Sequence, residues 1–177
     1  MQVNKITNNL AKLMLVDDLG FKKAQMPTAN RPYSIFDMDK VDVFVKNKEK
    51  ALPKLSNMLQ TAKTEDEIVE GLYIADRMID GGTKGIGNLY YSVFSRFNES
   101  RSANVQTFLS GIYRKTLNPD AFGPLVKMMC NNIINPPKSN FDPNEEVGGA
   151  VIEYIRDAVK QSKLKSNINY IKEKERK

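Results

Sequence analysis

Residues Thr64–Phe97 read TEDEIVEGLYIADRMIDGGTKGIGNLYYSVFSRF, the grammar of two helices joined by a glycine turn. Thr64-Glu-Asp-Glu67 is a capping box, in which the Thr64 hydroxyl accepts from the backbone N–H of Glu67 and the Glu67 carboxylate reaches back. Beyond it Ile68, Leu72, Ala75 and Ile79 share one helical face, widened by Val69 and Tyr73. Gly81 or Gly82 fits the left-handed position that stops a helix. A second stripe then runs through Ile86, Leu89, Tyr90, Val93, Phe94 and Phe97, which predicts a second helix with Phe94 in the core.

The same steps of three and four recur outward from this stretch. Val105, Phe108, Leu109, Ile112 and Tyr113 form one stripe, and Phe122, Leu125, Val126, Met129, Cys130, Ile133 and Ile134 another. Val151, Ile152, Ile155 and Val159 form a third, and each stripe calls for a neighbouring helix to cover it. Asn118-Pro119-Asp120 and Asp142-Pro143-Asn144-Glu145 place a capping side chain, a proline and then an acid at helix starts. Asp37 is placed to cap a short helix through Val41, Phe44 and Val45, and Pro53 asks for a fresh helix start near Lys50. Strand alternation is nowhere convincing, so the expected fold is all-α.

Three parts are expected. Residues 1–36 carry an amphipathic helix with Val3, Ile6, Leu10 and Leu13 on one face, followed by an extended arm. Residues 37–160 form a helical-repeat domain, and residues 161–177 a basic C-terminal tail.

Composition narrows the chemistry. The 177 residues contain no histidine and one cysteine, which removes Ser-His-Asp and Cys-His pairs and any histidine or multi-cysteine zinc site. Cys130, among Met128, Met129 and Ile133, reads as a buried thiol in a reducing compartment, with the cytoplasm as the expected location. No window reaches the roughly 18 apolar residues of a membrane span. The net charge is +6, and Arg156–Lys177 holds eight basic and three acidic residues, a net of +5, leaving about +1 for the rest.

The stripes pair with a period of roughly 35 residues, the range of helical-repeat arrays. Lys50-Ala-Leu-Pro-Lys-Leu55, Gly85-Ile-Gly-Asn-Leu89 and Ala121-Phe-Gly-Pro-Leu125 open successive units. KALPKLSNMLQTAKTEDEIVEGLYIADRMI, residues 50–79, resembles the junction between HEAT or armadillo-type repeats, and the resemblance extends over residues 50–134. It implies a short α-solenoid, a curved stack of helix pairs whose inner surface binds another macromolecule, with no catalytic residue and no cofactor. The alternative from the stripes alone is an irregular helical bundle.

Candidate sites are few. In the glycine turn threonine precedes lysine, against the Gly-Lys-Ser/Thr order of a phosphate loop, and a helix rather than a strand precedes it. Lys84 keeps a role as an anion contact beside a helix start. Asp37, Asp39 and Asp42 lack the further ligands of a calcium loop, so no metal site is expected. If the second helix of each pair faces the concave side, Lys54, Asn57, Arg96, Lys127 and Asn131 are the partner-binding candidates. The expected function is a non-enzymatic protein- or peptide-binding scaffold, with no small-molecule substrate and no membrane insertion. The alternative is a nucleic-acid-binding helical domain using the basic tail and these lysines and arginines.

Overall fold

The computed structural model describes residues 36–175, which fold into helices and turns with no strand among them. The expected N-terminal helix and arm, residues 1–35, lie outside the described residues, as do Arg176 and Lys177. In chain order the α-helices are α1 (Met38–Asn47), α2 (Leu52–Thr61), α3 (Glu65–Asp80), α4 (Ala103–Thr116), α5 (Phe122–Ile134) and α6 (Asn144–Glu175).

The predicted start signals are in place. Thr64 and Glu67 complete the capping box at α3. Asp37 accepts from the N–H groups of Asp39 and Lys40, and Asn118 from that of Asp120. Pro53 sits in the first turn of α2, where its missing N–H is harmless. The turn after α3 bends at Gly82 and Gly85, with φ of 80° and 82°, a region open to glycine without strain.

Residue pairs fix the helix directions. Asn104 donates to Glu65 at 3.0 Å and Lys115 reaches Asp76 at 2.7 Å, so α3 and α4 run the same way. Lys40 to Glu70, with Val45 beside Gly81 at the far end, gives α1 that direction too, and Arg114 to Glu146 with Tyr154 to Asn118 gives it to α6. α5 runs against α6, since Asn132 meets Asn144 while the Phe122 ring lies 5.6 Å from Tyr154. α2 runs against α3 and comes close, with Leu59 seated on the bare Cα of Gly71. One core runs through the whole, from Val41 and Phe44 through Leu72, Phe94, Leu109 and Tyr113 to Leu125 and Val147.

Three expectations need correcting. Ile86–Phe97 is not an α-helix but two 3₁₀ turns, Ile86–Leu89 and Phe94–Phe97, with bends between them. Gly85 and Gly87 are weak helix formers, and Val93 sits at φ −134°, ψ −67°, off the helical region. The burial of the stripe survives, because a 3₁₀ turn brings every third residue round and Ile86, Tyr90, Val93, Phe94 and Phe97 all remain buried. Secondly, Cys130 is exposed rather than buried. Thirdly, α5 buries Leu125, Met128 and Asn132, leaving Ile133 and Ile134 in solvent, and α6 buries Val147, Ala150 and Val151 but exposes Ile152, Ile155 and Val159. α5 is apolar nearly all round, so periodicity did not distinguish its inner face from its outer one. From there α6 continues without a break through residue 161 to Glu175.

Candidate binding surface

The five positions named from sequence fall on α2 (Lys54, Asn57), on the Phe94–Phe97 turn (Arg96) and on α5 (Lys127, Asn131). Lys54, Asn57, Arg96 and Lys127 are exposed and Asn131 is half-buried. Side chains clasp these elements to one another. Gln60 of α2 donates to the carbonyl of Ser92 at 3.1 Å, and the Arg96 guanidinium donates back to the carbonyl of Gln60 at 3.0 Å. On the next step Lys127 of α5 pairs with Glu99 at 2.8 Å. The basic groups therefore have internal partners: Lys54 lies 5.4 Å over the Phe44 ring and Arg96 5.9 Å from that of Phe97. The charged ends of these contacts are solvent-exposed, so each is weak, on the order of 1 kcal/mol.

At the glycine turn, the backbone N–H of Lys84 donates to the Glu49 carboxylate at 2.7 Å. That hydrogen bond is the main reason the Glu49 carboxyl sits below the usual range, with the charges of Lys48 and Lys84 adding to it. The anion held by this turn is thus one of the chain's own side chains, while the Lys84 side chain itself is exposed.

Sequence reasoning missed two interior polar clusters. Tyr113 donates to Asn98 at 2.7 Å, Asn98 to the Tyr90 hydroxyl at 3.2 Å, and Tyr90 to the carbonyl of Asp120 at 2.9 Å. Burial, then the neighbouring Tyr90 and Tyr154, pushes the Tyr113 phenol far above its ordinary value. Tyr154 is also pushed up by burial. The second cluster centres on Asn132, which donates to Gln106 at 2.7 Å and Asn144 at 2.9 Å, while its own Oδ1 has no partner among the described residues. Asn132 also lines a cleft of about 430 Å³ with Ile133, Pro136, Pro137 and Phe141. No signal marks such residues in advance, because an asparagine in an apolar stripe reads as a solvent-facing break.

Lys115 bridges Asp76 and Asp80 at 2.7 and 2.8 Å. Burial lifts the Asp76 carboxyl above its ordinary value despite that partner. Burial pulls Lys115 down, but its bonds to the two carboxylates outweigh this and hold it up. Among the described residues no three Cys, Asp or Glu side chains converge as a metal site would require. No helix among them is long and apolar enough to cross a membrane. Comparison with protein families, curated proteins and solved structures gives no match for this chain.

Proposed function

We propose that this chain is a non-enzymatic helical-repeat module that binds a protein or peptide along the surface carrying Lys54, Asn57, Arg96, Lys127 and Asn131. The observation that carries the reading is the spacing of the bonds between elements. Lys40–Glu70, Glu49–Lys84, Gln60–Ser92, Asp76–Lys115, Gly87–Asn118, Glu99–Lys127 and Asn118–Tyr154 join residues 28–39 apart, beside shorter links such as Asn98–Tyr113, Asn132–Gln106 and Asn132–Asn144 at 15, 26 and 12. Separations clustered around one value are what a stack of similar helix pairs produces, since each pair then touches the next at equivalent positions. An irregular bundle has no reason to favour one separation.

Selection from a displayed peptide library, followed by calorimetric titration, tests the reading. Peptides binding at micromolar affinity or better are expected, weakened at least about tenfold by Lys54→Glu with Arg96→Glu. Selection without binders, or binding indifferent to both substitutions, sinks the proposal.

The distal half of α6 favours a second reading, because Lys160, Lys163, Lys165 and Lys172 are all exposed on it. A nucleic-acid partner would be held through phosphate contacts, with an affinity that falls steeply with salt. Titration of labelled duplex and single strands, with and without residues 160–177, separates this from peptide binding.

A further inference from the structure

The apolar stripes that the helical pattern expects to be covered are in part bare, and the bare parts adjoin. On α5, Phe122, Val126, Met129 and Ile133 recur at steps of four, three and four. On α6, Gly148, Ile152, Ile155 and Val159 recur at the same steps. The stripes meet where a Cβ on Gly148 would lie 4.0 Å from the Met129 sulfur, and again where Phe122 approaches Tyr154. Phe122, Ile133, Ile152, Ile155 and Val159 are 37%, 70%, 52%, 51% and 48% exposed.

We propose that this α5–α6 face is the contact between two copies of the chain, packed about a twofold axis. Size is the first argument. Five large aliphatic and aromatic residues about half exposed leave on the order of 500 Å² of apolar surface, near the upper end for the largest patch on a monomer. A polar rim brings such a patch to the roughly 800 Å² per partner of a stable interface.

Charge is the second. α5 carries one charged residue, Lys127, and its remaining exposed side is Phe122, Gly123, Cys130, Ile133 and Ile134. A face without charge offers no handle to a strongly acidic or basic partner and is complementary to itself, which is what an isologous contact needs. On the α6 side Glu153 and Arg156 pair with each other at 3.4 Å within the helix, so this pair adds no net charge to the rim. The inference does not rest on the peptide-binding reading, which uses other residues.

Sedimentation velocity of the full chain, from about 1 to about 200 µM, is the test. The expected mass rises with concentration from the 20.1 kDa monomer toward twice that value. Ile133→Lys with Ile155→Lys weakens self-association at least about tenfold, whereas Val43→Lys, on an exposed position of α1, leaves it unchanged. Circular dichroism melts of both variants show that the monomer still folds. A chain monomeric at every concentration, including one whose own residues 1–35 cover the face, overturns the proposal. So does a dimer that survives the paired lysines.

Discussion

The closest approach of two helices is also the most exposing test of the packing. A Cβ added at Gly71 would lie 2.5 Å from Leu59 Cδ2 and 2.8 Å from its Cγ. Carbon atoms rest about 3.5–4.0 Å apart, so Leu59 must retreat by about 1 Å. Turning the end of the leucine does not relieve the clash, because Cγ is itself too close. Leu59 is fully buried with no open side to enter, so α2 has to shift away from α3. Overpacking of this kind costs about 1–3 kcal/mol. Alanine returns about 1 kcal/mol through helix propensity, so Gly71→Ala is expected to lose up to about 2 kcal/mol net.

Urea denaturation followed by far-ultraviolet circular dichroism measures the loss, and a double-mutant cycle assigns it. Leu59→Ala alone should cost about 2–5 kcal/mol, and in the Gly71→Ala background at least about 1 kcal/mol less, because truncating Leu59 there also relieves the clash. Gly123→Ala in α5 serves as the control: nothing lies within 4 Å of its Cβ position, so it should stabilise by up to about 1 kcal/mol. A Gly71→Ala variant stabilised by about 1 kcal/mol, as the Gly123→Ala control should be, or additive with Leu59→Ala, refutes the close approach.

Phe94→Ala removes a fully buried ring and should cost about 3–5 kcal/mol in the same assay; a loss below about 1 kcal/mol would displace Phe94 from the core. Thr64→Ala breaks the capping box and should cost about 1 kcal/mol by the same urea denaturation; an unchanged midpoint would contradict it. Because Tyr113 is raised above its ordinary value of 10.0, the stability it contributes is complete below about pH 10 and is lost as the pH climbs beyond. Urea midpoints should therefore fall above pH 10, with a shallower fall in Tyr113→Phe; equal slopes in both proteins would contradict this.

What the sequence revealed depended on how local the signal was. Thr64, Asp37 and Asn118 act within one turn of themselves, and each caps where its spacing said it would. In α4 the predicted Val105, Leu109, Ile112 and Tyr113 are buried and Phe108 partly so, but the polar Gln106, Thr107 and Ser110 are buried with them, which the stripe did not foretell. In α5, with isoleucines on one side and leucine and methionine on the other, the inner face was chosen by the Asn132 bonds to Gln106 and Asn144. Those partners lie 26 and 12 residues away, so no local pattern contained them. At Ile86–Phe97 the stripe predicted burial correctly and helix type wrongly, since both α and 3₁₀ turns return a side chain to the same face within three or four residues. The sequence named candidate positions on α2, the Phe94–Phe97 turn and α5, but it held no sign of the contacts that occupy Arg96 and Lys127.

The two ends of the helix row differ in a way that bears on association. At the α1 end the outward residues include Asp39, Asp42 and Lys46, with Val43 the lone large apolar group among them. Charges there keep water bound and discourage another chain from stacking on that edge. At the α5–α6 end the corresponding positions are phenylalanine, isoleucine and valine. Among the described residues both edges bury an inner stripe, so that packing does not account for the difference. An interface does, and it also predicts a separation of effects. Ile133 is largely exposed, so lysine there should change monomer stability by less than about 0.5 kcal/mol. At the centre of an apolar contact the same substitution would cost about 2 kcal/mol or more per copy. A loss of association that outruns the loss of stability by that margin therefore belongs to a surface built for contact rather than to a weakened core.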